Sequence, residues 1–320
     1  MNSDQKTDGK SLVIIGAGPM GLAAAYLAAK KGWSVTLLEA DDRVGGMAAH
    51  FDFDGMSIER YYHFCCLSDI DTIDLLEDLG LNGAMKWVTT TMGFYVNREL
   101  HDWGHPVALL RFPGMNFFEK LRYGVQAFYS TKRSDWERLD TISAKDWFTD
   151  WCGPGVYERM WRPLMELKFY EYSDKISAAW MWQRIKRLGN SRKSLFEERL
   201  GYIDGGTDTL MKALEAKIQE LGGQIHLSCP ATEIVADEGK TLTGVRLTNG
   251  ETVHAENIVS TAPMPVVPRL LEKSLPDLAD QYTDFDNIGV VCVMLKLNQS
   301  VSRHFWVNIS DESVGVPGIV

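Results

Sequence analysis

Apolar positions along the chain change their period several times, and each change marks an element. Leu12 to Ile15 is an unbroken apolar run, the form of a strand buried on both faces of a parallel sheet. Alanine-rich sequence then carries a helix to about Lys31, where Gly32 ends it. Val35 to Leu38 gives a second strand with Glu39 at its end. Ile70, Ile73, Leu76 and Leu79 space a helix stopped by Gly80, and Ser68-Asp69-Ile70-Asp71 before it has the form of a capping box. Thr207 is placed to cap a helix bearing Leu210, Leu214, Ile218 and Leu221, closed by Gly222-Gly223. Ile225 to Leu227 is a strand. Val245 to Thr248 and Thr252 to His254 flank Asn249-Gly250 as a hairpin on a type I′ turn, and Ile258 to Ser260 returns to the sheet. The alternation in "GVVCVMLKL", within 285–309, predicts strands of a second sheet.

Strand and helix alternate at both ends of this pattern, which predicts an α/β fold with a mainly parallel, doubly wound sheet. The middle differs. Eight of the ten tryptophans lie between Trp87 and Trp182, and Pro106, Pro113, Pro154 and Pro163 break the segment repeatedly. An inserted, helix-rich α+β domain is expected there, with rings that fill its core or line an apolar pocket. The expected partition is 1–90 and 200–268 for a nucleotide-binding domain and 91–199 and 269–320 for a substrate domain. The first ten residues read as a polar tail.

The net charge of −10 disfavours general nucleic-acid binding. Arg184, Lys186, Arg187, Arg192 and Lys193 are a basic cluster in this acidic chain. They read as a solvated helix face and loop, or as a patch for a substrate anion or for peripheral contact with an anionic membrane surface. No apolar stretch reaches the length of a membrane span, and the five cysteines have no metal-like spacing. A cytoplasmic protein is expected, and the sequence leaves its oligomeric state open.

The chemistry is concentrated in "VIIGAGPMGLAAAYLAAKKGWSVTLLEADDRVGGMA", residues 13–48. Gly16, Gly18 and Gly21 follow a strand and open a helix. The spacing suits a tight turn, close approach of backbone to a pyrophosphate, and tight helix–strand packing. The helix start, with Pro19 and Met20, directs free N–H groups at an anion. Glu39, followed by Ala40, stands where an acid bonds a ribose hydroxyl, which disfavours a 2′-phosphate. Arg43, Gly45, Gly46 and Met47 add a second glycine pair.

With that pair the sequence resembles the flavin-containing amine oxidase, protoporphyrinogen oxidase and phytoene desaturase superfamily. The resemblance covers about 1–64 and 201–265 well and the middle only loosely. It implies FAD as cofactor, with Arg43 and the glycines along its pyrophosphate and ribityl chain. It also implies that "IERYYHF", with His63, passes near the flavin ring, that Thr232, Glu233 and Ile234 meet adenine through their backbone, and that "STAP", with Ala262, adjoins the site. Members of this superfamily end in a further glycine-rich FAD segment, so the substrate domain is expected to be incomplete at Val320. No second glycine fingerprint marks an NAD(P)H domain, so electrons are expected to pass to oxygen, a quinone or another carrier.

The expected activity is that of an FAD-dependent oxidoreductase, an oxidase, dehydrogenase or desaturase. Hydride would pass from a hydrophobic or amine-type small molecule to flavin N5. No catalytic side chain is assigned. Two alternatives stand beside it: a non-redox flavin-dependent sugar-nucleotide mutase, to which "IERYYHF" is similar, and a binding protein of the same fold without catalysis.

Overall fold

The computed structural model describes residues 10–311 and 313–320; the expected polar tail, but for Lys10, lies outside them. Packing divides the chain into two units. One holds the described residues up to His63, with Asp74–Met85 and Ile203–Val293; the other holds Phe64–Ile73, Lys86–Tyr202 and Met294–Val320. Residues 64–73, 86–90 and 200–202 thus pack with the second unit, and 269–293 with the first, unlike the expected limits.

In the first unit, strand β1 (Ser11–Ile15) pairs in parallel with β2 (Ser34–Leu38) and, on its other side, with Asn257–Ser260. Gln224–His226 extends the sheet beyond β2, so the strands lie in the order 3-2-1-4, half of a doubly wound sheet. Alternate residues face two cores. Leu12, Ile14, Val35 and Leu37 pack against helix α1 (Pro19–Lys30) and helix Thr207–Glu220. Val13, Ile15 and Leu38 pack against an antiparallel sheet of Ala231–Ala236, Leu242–Leu247 and Thr252–His254 and against Leu270 and Leu271. Both faces are covered, which is why the strand sequence is continuously apolar.

Three local expectations are corrected. The Ser68 hydroxyl donates to the Arg187 carbonyl and the Asp69 carboxylate accepts from the Cys66 amide, so helix Ile70–Asp78 starts without the expected capping box. Thr207 is the first residue of its helix, not the cap. Its hydroxyl donates to the Ala48 carbonyl, while Glu59 accepts its N–H at 3.0 Å. At the hairpin only Gly250 has a positive φ (88°), whereas a type I′ turn needs one at Asn249 as well. Gly250 N–H instead closes a turn on Leu247, and the Asn249 side chain accepts from Glu251 N–H.

In the second unit, Met92–Val96 lies between Glu99–Trp103 and Trp306–Ile309. Helices Phe117–Lys132, Ala144–Cys152 and Ala178–Asn190 each begin on a side-chain cap, from Asn116, Ser143 and Ser177 respectively. The core is aromatic, built from Phe94, Phe112, Tyr123, Trp147, Phe148 and Trp161. Phe148 stacks on Trp161 with ring centroids 4.8 Å apart. The Arg187 guanidinium closes on Asp69 at 2.6 Å. Burial opposes ionisation of that carboxyl, but the hydrogen bonds from Arg187 and the Cys66 amide outweigh it and hold its pKa below the ordinary value.

The segment 289–297 forms no strand, and Val290, Val291, Val293, Leu295 and Leu297 are exposed. Alternation suits a pleat, but a strand also needs a neighbour's N–H and C=O groups, and none among the described residues pairs with this segment. No described helix is long and apolar enough to cross a membrane.

Phe148 is fully buried. Phe148→Ala is expected to cost about 3–5 kcal/mol, a large truncation in a packed core. A urea midpoint within error of the parent chain would contradict this account of the second core.

Candidate functional site

The two glycine motifs form one structure. Gly16 takes φ +99°, and its N–H donates to the Leu38 carbonyl at 2.8 Å. A Cβ at Gly21 would lie 1.9 Å from the Gly16 carbonyl oxygen, so only glycine lets α1 pack this close to the turn. Gly45 donates to the Ala17 carbonyl at 2.8 Å, and a Cβ on Gly46 would come within 3.2 Å of the Gly18 Cα. The second pair therefore lies directly against the first.

Pro19 is the first helical residue and has no N–H to satisfy. Leu22 N–H donates to Gly18 and closes the first turn. The N–H groups of Met20 and Gly21 precede that bond and have no acceptor within the helix. Met20 and Met47 are both exposed at this end of α1. Free donors without obstructing side chains make a cradle suited to an anion.

Glu39 supports the cradle. Its Oε2 accepts from the buried Ala17 N–H at 2.6 Å and its Oε1 from Asp41 N–H at 2.9 Å. Ala40 is exposed between them. Ser228 N–H donates to Asp41 and Cys229 N–H to Glu39, both at 2.8 Å, so strand Ala231–Ala236 starts beside β2's end. That strand is an edge, and its register shifts between Ala231 and Glu233. Thr232 bonds the Arg246 carbonyl, Ile234 is buried, and Glu233 is held by Ser274 and Arg246 at 2.9 and 3.0 Å. Those side chains are committed to packing, which leaves the unpaired backbone edge as their accessible feature.

Arg43 donates to Asp42 at 2.7 Å and to the His50 carbonyl at 3.1 Å. His63 is tied through Nδ1 to Glu59 at 2.7 Å, and Glu59 in turn accepts from Thr207 N–H. Burial opposes ionisation of Glu59, but these bonds outweigh it and set its pKa below the ordinary value. His63 thus belongs to the network at the start of helix Thr207–Glu220, not to the hydrogen bonds that join the glycine loop.

Sequence reasoning passed over two contributors. The Thr261 hydroxyl, beside Ala262, donates to the Ile15 and Gly16 carbonyls at 3.0 and 3.2 Å. Arg60 pairs with Asp41 at 2.6 Å and reaches the Gly46 carbonyl at 3.5 Å. "STAP" was the available signal for the first, since its threonine is the residue that meets the loop.

The second unit encloses a cavity of about 510 Å³, walled by Phe64, Trp103, Tyr123, Trp161, Trp180 and Trp306. Its size suits a small molecule. Of the basic cluster, Arg184 and Arg192 line it, and Lys186, Arg187 and Lys193 do not. Lys186 donates to the Arg133 carbonyl, Arg192 to the Gly104 carbonyl, and Lys193 stands 3.8 Å from Glu197. Arg184 lies over the Trp180 ring at 4.9 Å.

The chain is 25% identical over 279 residues to 15-cis-phytoene desaturase of Arabidopsis thaliana, covering 81% of this chain and 49% of that protein. It is 26% identical over 298 residues to 4,4'-diaponeurosporene oxygenase of Staphylococcus aureus, covering 81% of this chain and 56% of that protein. The chain thus spans about half the length of these relatives. Among solved structures, a triple mutant of putrescine oxidase superposes with TM-score 0.62 at 21% identity, covering 85% of this chain and 62% of that one. That likeness shows the fold: an α/β chain with a Rossmann-like parallel sheet and a second, inserted unit. The model of the flavin containing amine oxidoreductases matches residues 21–317, so the chain belongs to that family and its cofactor is FAD.

Proposed function

We propose that the chain is part of an FAD-dependent oxidoreductase that removes hydride from an apolar small molecule. The observation that carries the reading is the joined glycine cradle, in which Gly16, Gly18, Gly21, Gly45 and Gly46 leave a surface free of side chains beside the free amides of α1. The Met20 and Gly21 amides would hold the diphosphate, with the helix dipole adding to the attraction. A carboxylate offers about four lone-pair sites, and Glu39 uses two on backbone amides. The remainder would be available to ribose hydroxyls. The free backbone edge at Thr232, Glu233 and Ile234 would meet adenine, and Arg43 and Met47 would flank the cofactor.

FAD, when bound, supplies a hydride acceptor at N5. The second unit would contribute the substrate cavity, whose rings suit an apolar body. Oxygen, a quinone or another carrier would then take the electrons.

The purified chain, supplied with FAD, is expected to retain it and show flavin absorption bands that dithionite bleaches. A chain that never takes up FAD would overturn the reading. Glu39→Ala is expected to weaken FAD binding by roughly 1–3 kcal/mol, the loss of hydrogen bonds to the ribose. The same change strands the Ala17 amide, so its urea midpoint should fall as well. Lower stability with unchanged FAD affinity would make Glu39 a brace for the loop and not a ligand.

A further inference from the structure

The cavity of the second unit has a charge opposite to that of the chain. Its charged and titratable lining consists of His105, Tyr123, Lys132, Lys168, Arg184, Arg192 and Glu198. Four of these are basic and one is acidic, in a protein of net charge −10. The acid is also spoken for. Glu198 is buried, accepts from Thr90 at 3.1 Å, and lies 3.5 Å from Arg192. Burial pushes its carboxyl above the ordinary range despite the Arg192 charge.

Lys168 is the reverse case. Its ammonium lies 5.7 Å over the Trp306 ring and forms no ion pair among the described residues. The half-buried ammonium thus rests on a ring face and not on a carboxylate, and burial disfavours its charge. Arg184, over Trp180, adds a second positive charge on the same side.

We propose that this cavity takes an apolar molecule carrying one carboxylate, whose anionic end sits against Lys168 while its body lies among the tryptophans. The inference rests on reading this unit as the substrate unit, and it narrows the substrate class. An amine would bring a third positive charge beside Lys168 and Arg184 and is disfavoured. Burial, reinforced by the Arg184 charge, lowers the Lys168 pKa to about 8. The ammonium is therefore the main form at neutral pH and is lost as pH rises through about 8. A seated carboxylate favours the charged form and moves that loss to higher pH.

Retinoic acid, retinol and retinylamine share one apolar body and differ in the head group, and their binding quenches tryptophan fluorescence. At neutral pH the acid is expected to bind the chain about tenfold more tightly than retinol, the worth of one hydrogen bond to a charged group. The amine should bind most weakly. Lys168→Met should bring the acid to parity with retinol and leave retinol unchanged. Equal binding of acid and retinol by the parent chain, or tightest binding of the amine, would overturn the proposal. Should Lys168→Met fail to fold, the parent chain decides alone: the acid's advantage must shrink above about pH 8, and an advantage independent of pH overturns the proposal. None of these readouts uses flavin, so a chain that fails to take up FAD would defeat the oxidoreductase reading and leave these outcomes standing.

Discussion

The first unit depends on a single close approach. The Gly16 carbonyl oxygen occupies the place a Cβ would take at residue 21, 1.9 Å from it. That contact sets how near α1 comes to the sheet, and so where the amides of its first turn point. Everything else at the cradle holds this approach in place. Glu39 fixes the Ala17 amide from the end of β2, Thr261 fixes the Ile15 and Gly16 carbonyls from the far side of the sheet, and Gly45 closes on Ala17 from a third segment. These braces act on backbone groups, so the amides are oriented before a ligand arrives and little ordering entropy is left to lose.

The second unit solves a different problem with one set of residues. Tyr123 and Trp161 belong to its hydrophobic core and also line its cavity. A pocket whose wall is the core itself cannot be reshaped cheaply, because moving a ring disturbs close packing behind it. Shape selectivity and stability are therefore coupled here. The charged residues escape that coupling, since Lys168 and Arg184 rest on ring faces and do not interdigitate with the core.

What the sequence disclosed follows from the range of each requirement. The strands, α1 and the glycine loop were legible because left-handed backbone, missing Cβ atoms and a two-sided apolar run are local demands written at the positions that meet them. Thr261 was not, because the carbonyls it meets lie 246 and 245 residues away in the chain. The Asn249-Gly250 hairpin was legible as a hairpin, but its turn type was not. The Asn249 side chain accepts from Glu251, and Asn249 itself avoids the positive φ that type I′ requires. The 289–297 segment misled for the opposite reason: its alternation is a strand pattern, and pattern does not supply a partner.

Under the proposed function, Glu39 would join loop support and ligand recognition in one side chain. Its two backbone acceptor bonds hold the carboxylate in one orientation at the mouth of the cradle. An unbraced glutamate would have to freeze its rotamers on binding, at a cost of up to about 2 kcal/mol. Here that ordering has already occurred in the fold, so each further hydroxyl the carboxylate accepts adds affinity with little entropic loss. An acid placed at this strand end by the fold thus orders the loop and is itself ordered by it.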